Sequence, residues 1–187
     1  MTTALAHALI AAALAVTLPA YAQRVDAAAS EIAFTTRIMG APVAGRFARW
    51  DATLQFDPRH AQAGRVALRI DIASASFVAS EVSAEARRAV WFDAAQFPQA
   101  AFESAAIKPL GGGRFEMSGR LTLKGRERDV VIPVSLAQAG STGRASGSFT
   151  LQRLDFGIGT GEWADASLVA HEVQVRFDIA LTGLAAP

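Results

Sequence analysis

Apolar and polar side chains alternate one by one between Arg114 and Leu123. Phe115, Met117, Gly119, Leu121 and Leu123 fall on one face, and Arg114, Glu116, Ser118, Arg120 and Thr122 on the other. Val66, Leu68, Ile70 and Ile72 alternate in the same way with Arg65, Ala67, Arg69 and Asp71. Near the end, Val173, Val175, Phe177, Ile179 and Leu181 alternate with Glu172, Gln174, Arg176, Asp178 and Ala180. A period of two belongs to a β-strand, which sends successive side chains to opposite faces. Each segment therefore has one dry and one wet face. The wet faces argue against a barrel set in an outer membrane, where the apolar face points outward into lipid.

Shorter strands are predicted over 31–38, 101–107, 130–136 and 146–154. The stretch 43–56 reads as one long bent strand or a pair, with Gly45 as the bend. Gly111-Gly112-Gly113, Lys124-Gly125, and Gly140 with Gly143 supply the turns. The set numbers about eight and the connections are short, so an antiparallel meander is expected. Closing it removes the exposed edges, which favours an eight-stranded all-β barrel. A two-sheet sandwich has the same local pattern and stays open as the alternative. One segment differs. Residues 81–90 are rich in Ala, Glu and Arg and read as a short helix. Ser80 can cap it, and Glu81 early and Arg87 and Arg88 late suit the helix dipole. Val82, Ala86 and Val90 would share one face.

The first 22 residues are read separately. Leu5 to Leu18 is almost wholly apolar, interrupted by His7 and Thr17, and is followed by Pro19 and Ala20-Tyr21-Ala22. An apolar core, a breaker and a small-x-small site predict a secretory signal cleaved after Ala22. No Lys or Arg precedes the apolar core, which departs from the usual pattern. The run falls short of the roughly 20 residues that span a bilayer. The expectation is one domain over 23–187, exported to the periplasm.

The chain contains no Cys, so it carries no disulfide and no acylated residue of a lipoprotein. Stability must come from core packing. The formal charge is +1, and the Arg residues are scattered among Asp and Glu. No one-signed patch points to nucleic acid.

Catalytic signals are weak. His60 and His171 lie near no second ligand at a metal spacing. A Cys nucleophile is impossible, and no G-x-S-x-G elbow occurs. Gly157-Ile158-Gly159-Thr160-Gly161 lacks the Lys and following helix of a phosphate loop. The reading is no enzyme, no cofactor and no metal. Asp155, Asp165 and a Ser beside His171 are the groups an enzymatic alternative would need.

What remains is apolar volume. A barrel of this size is either filled by its side chains or holds one small ligand. Small residues on inward faces, among them Gly45, Gly119, Thr36 and Ser104, leave room or answer packing needs. The pattern alone leaves both readings open.

Several blocks resemble a known family. They are Trp91-Phe92-Asp93-Ala94-Ala95-Gln96-Phe97-Pro98 with Ala101-Phe102-Glu103-Ser104, then Gly119 to Gly125, then Arg153-Leu154-Asp155-Phe156-Gly157-Ile158-Gly159. In order and spacing they look like the YceI-like family of lipid- or polyisoprenoid-binding proteins. The resemblance covers essentially all of Val25 to Leu181. It implies a lipocalin-like barrel, a periplasmic location, no covalent chemistry, and a tunnel for an isoprenoid chain such as a quinone tail. Two places depart from it. Ala29-Ser30 and Ile38-Met39-Gly40 stand where many members carry His, and the helix over 81–90 also lacks theirs. Polar head-group contacts are therefore not carried over, and the apolar tunnel is.

The candidate lining residues are Phe34, Ile38, Met39, Phe47, Leu68, Ile70, Phe102, Phe115, Met117, Leu121, Val175 and Phe177. Trp91, Phe92 and Trp163 are candidate rim residues. The functional expectation is a periplasmic carrier of a polyisoprenoid or quinone-like lipid, with transient contact to the membrane or to envelope proteins. The alternative is a non-catalytic envelope stress or interaction module with a filled core.

Overall fold

The computed structural model describes residues 23–185, so the predicted signal segment lies outside the described residues. The strands are β1 (Arg24–Ile38), β2 (Ala41–Phe47), β3 (Trp50–Gln55), β4 (Arg65–Asp71) and β5 (Ala75–Phe77). After helix α1 (Ser80–Ala86) come β6 (Gln99–Gly111), β7 (Arg114–Leu123), β8 (Arg126–Ala139), β9 (Thr142–Gln152) and β10 (Glu172–Thr182). They form one sheet in the order β3-β4-β6-β7-β8-β9-β10-β1-β2-β5, and every pairing is antiparallel.

The two ends of that order meet through the chain itself. β2 pairs with β1 and β3 pairs with β4, yet only Ala48 and Arg49 separate them. Counting β2 and β3 as one bent strand, and setting three-residue β5 aside, leaves the eight strands expected. The Gln23 side-chain amide fastens the same seam. Its Oε1 accepts from the Phe56 N–H at 2.7 Å, and its Nε2 donates to the Phe56 carbonyl.

The bend falls at Ala48–Arg49 rather than at Gly45, because polar groups hold the corner there. The Ala48 N–H donates to the Ser74 carbonyl at 3.3 Å, and the Arg49 N–H donates to Ser74 Oγ at 3.0 Å. Arg49 also pairs with Asp71 at 2.6 Å. Gly45 serves a different purpose. It faces Phe34 across the β1–β2 ladder, and a Cβ there would lie 2.6 Å from Phe34 Cζ and 3.0 Å from Phe77 Cε1. The missing side chain lets the Phe34 ring lie over the wall. Phe102 covers Gly119, and Phe177 covers Gly147, in the same way. Gly45→Ala should therefore cost about 1–3 kcal/mol through overpacking. Urea denaturation would measure it, and the cost should shrink in a Phe34→Ala background. A substitution that is neutral in the wild-type background would refute this packing.

Two further expectations are corrected. Helix α1 ends at Ala86, four residues short of the predicted end, and its cap residue is Ala79. Ser80 is its first residue and Ala79 makes no side-chain cap bond. The expected last turn unwinds because its carbonyls find tertiary partners. Lys124 Nζ donates to Ala89 O at 2.8 Å and Val90 O at 3.3 Å, and the Gly159 N–H takes Val90 O at 2.8 Å. Met39 does not line the interior. It occupies the two-residue turn between β1 and β2 with φ 49°, beside Gly40 at φ 79°, and is 74 % exposed. Both positions of that tight hairpin need a positive φ, so the turn decides where its side chain goes.

The core lies inside the curled sheet. Ile32, Ile70, Ile72, Ala100, Leu123, Phe156 and Ile158 form one buried cluster, and Ala61, Ile107 and Phe115 a second. The second sits at the end where the 3-10 turn of Pro58–Ala63 packs against Phe56 and Ile107.

Candidate functional site

Inward faces that alternate along every strand leave two adjoining empty chambers. The lower one measures about 220 Å³. Leu68, Ile70, Phe102, Phe115, Met117, Leu121 and Phe177 line it, with Thr53 as the one hydroxyl-bearing lining residue among the described residues. The upper one measures about 340 Å³, and Phe34, Ile38, Trp91, Phe92 and Trp163 are in its wall. Phe47 and Val175 line both. Every residue named from sequence as lining or rim, Met39 excepted, thus borders one chamber or both. A cavity of about 150 Å³ already holds a benzene and stays dry when its walls are apolar.

Sequence reasoning missed the charged member of the upper wall. Arg153 is 2 % exposed, yet no carboxylate pairs with it among the described residues. Its nitrogens are spent on backbone carbonyls instead. Nε donates to Ala170 at 3.0 Å, Nη1 to Ile158 at 2.9 Å and Gly159 at 2.5 Å. Nη2 donates to Trp163 at 2.5 Å and Val169 at 2.8 Å. Burial lowers its pKa, with no opposite charge to offset it, but a guanidinium stays protonated in proteins. Arg153 therefore ties together the irregular segment that closes this end of the barrel. A run of Arg-Leu-Asp-Phe-Gly at the end of a strand was visible in sequence, but nothing local showed that the Arg turns inward.

Two other polar side chains of the upper wall are also engaged. Thr36 Oγ1 donates to Glu172 O at 3.2 Å, and Glu85 pairs with Arg88 at 3.1 Å. Trp91 lies against Trp163 with ring centres 5.5 Å apart and the rings tilted by 46°, and its buried Nε1 has no partner among the described residues. Val82 and Ala86 of α1 close the wall. Lys124 adds a strap, its Nζ donating to Gly157 O at 2.9 Å as well as to the segment after α1. Burial lowers its pKa, chiefly by desolvation, against the pull of Asp93.

The groups an enzymatic reading would need lie elsewhere. Asp155 and Asp165 are exposed and line neither chamber. His171 Nε2 contacts Ala164 O at 2.9 Å. Ser30, at one of the places where the sequence departs from its resemblance, has a structural task. Its Oγ takes the Ala180 N–H at 2.8 Å where the β1–β10 register shifts.

Comparison with known proteins places this architecture. The YceI-like domain family matches residues 23–181. A UPF0312 protein of Vibrio cholerae is 31% identical over 141 residues, 71% of this chain and 75% of that protein. The crystal structure of Burkholderia cenocepacia BcnA superposes with a TM-score of 0.81 at 38% identity, covering 84% of this chain and 99% of that one. A polyisoprenoid-binding domain from Saccharophagus degradans shares the fold with a TM-score of 0.70 at 17% identity, over 89% of this chain and 99% of that one.

Proposed function

The chain belongs to the YceI-like family, and from that premise we propose that it is a periplasmic carrier that holds one long isoprenoid or quinone-like tail without transforming it. The observation that carries this reading is the pair of adjoining chambers with apolar walls. Such space does not suit a plug, because voids cost packing contacts that a filled core would keep. This weighs against the alternative of an interaction module with a filled interior.

The driving force is desolvation of the tail. Each methylene removed from water contributes about 0.8 kcal/mol. Ordering a flexible chain opposes this, so the sum does not convert directly into affinity. The head group contributes less. Arg153, Thr36 and Glu85 already have partners, so among the described residues the upper wall keeps the neutral Trp91 indole N–H as its buried unpaired donor. Tail length should then govern binding more than head-group charge.

Solvent extraction of protein purified from its native compartment, followed by mass spectrometry, tests the reading. The expected result is a prenyl-chain lipid at about one per barrel, the occupancy a single internal site allows. Protein that is repeatedly lipid-free, and that takes up no added prenyl lipid, would overturn it.

A further inference from the structure

Four side chains border both chambers: Phe47, Leu123, Leu151 and Val175. They come from β2, β7, β9 and β10, so they face the lumen from several sides where the two chambers meet. Phe47 is the largest of them, and its surroundings hold it in place. It precedes the corner at Ala48–Arg49, whose backbone is bonded to Ser74. Its ring leans on Phe34 at 5.0 Å and on Phe92 at 6.2 Å between centres. Phe34 in turn rests over Gly45 and meets Phe77 edge-on at 5.4 Å. Phe92 is fixed by its N–H, which donates to Ala86 O at 3.0 Å. The junction of the two chambers is thus backed by packed rings on one side and by paired strands on the others.

The space on either side of it differs in chemistry. The upper wall includes Thr36, Glu85 and Arg153, and part of it is the exposed Val82 of α1. The lower wall has Thr53 as its one hydroxyl-bearing member among the described residues, and that end of the barrel is packed by the Pro58–Ala63 turn. A ligand that enters from above must pass its tail between these four side chains to reach the lower chamber.

We propose that the ring of Phe47, Leu123, Leu151 and Val175 is a selectivity filter that passes one unpaired chain and reads its length. The proposal rests on the lipid-holding reading and adds the residues that set specificity. A short tail stays in the upper chamber, whose volume is near the roughly 300 Å³ at which pockets begin to hold drug-sized ligands. A longer tail threads the ring and gains contacts below it. Lipids with two acyl chains bind more weakly, because the lower chamber, at about 220 Å³, offers little room for a second chain.

The test measures binding of prenyl alcohols of three, four, six and nine isoprene units, and of a diacylglycerol, to the wild-type protein, Phe47→Trp and Leu151→Phe. Thermal unfolding of each variant checks that it is folded, and the second substitution narrows the ring from the opposite side should the first fail to fold. In the wild type, affinity should rise with chain length and the diacylglycerol should bind at least about tenfold more weakly than the long alcohols. The narrowed variants should lose at least about tenfold more affinity for the long chains than for the three-unit alcohol. Equal weakening at every length, no change at any length, or tight diacylglycerol binding by the wild type would overturn the filter while leaving the carrier reading intact. A wild type that binds none of the alcohols would overturn both.

Discussion

Arg153→Met should lower the unfolding free energy by roughly 3–5 kcal/mol, the scale seen when a buried charged partner is removed. The cause is the set of carbonyls it leaves behind. Ile158, Gly159, Trp163, Val169 and Ala170 all accept from this one side chain. Each buried acceptor left without a donor costs about 1–3 kcal/mol, and partial relaxation to water keeps the total below their sum. A Met fills a similar volume, so lost packing contributes little. For a chain of this size each kcal/mol moves the thermal midpoint by about 2–4 °C, so the midpoint should fall by roughly 6–20 °C. Arg153→Lys should recover only part of the loss, because an ammonium has three donors and no planar fork. A midpoint unchanged in the Met variant would show that these hydrogen bonds do not hold the end of the barrel.

Ala52→Trp should abolish binding of long tails while leaving the barrel folded. Ala52 lies on β3, opposite Leu68 on β4, and its side chain borders the lower chamber. An indole there occupies space that a tail would otherwise fill. It also fills part of the roughly 220 Å³ chamber, so the lipid-free protein should melt within a few degrees of the wild type. Lipid recovered per barrel should drop at least about tenfold, a difference of some 1.4 kcal/mol in binding. Undiminished recovery from a folded variant would place the ligand outside the lower chamber. Read together, the two substitutions separate stability from occupancy, since the first acts on the closing segment and the second on the space it encloses.

Much of this molecule is written in local pattern. Alternation along 114–123, 65–72 and 172–181 names the inward residues correctly because a strand has only two faces, and one must be dry. The short turns follow from the same stretches: Leu123 pairs with Arg126 around Lys124-Gly125, whose φ values of 49° and 70° suit a two-residue hairpin. Met39 shows where pattern stops. It continues an apolar run after Ile38, but the turn claims it, and a strand register read without its turn overshoots by one residue. The predicted end of the helix fails for a related reason. Residues 87–90 are good helix formers, yet Lys124 and Gly159, distant in sequence, offer their carbonyls better partners.

Which faces are dry follows from residue order alone, since side-chain direction in a strand is set by the backbone. Whether the dry space is full does not. Volume depends on how rings from different strands lie together, and Phe34 over Gly45, Phe102 over Gly119 and Phe177 over Gly147 keep their bulk against the wall. The inward turn of Arg153 is likewise a tertiary fact, because its five carbonyl partners lie in the segment 158–170, whose far end is pinned to the β1–β2 hairpin by Ala170 N–H donating to Arg37 O at 2.9 Å and Met39 N–H donating to Leu168 O at 2.8 Å.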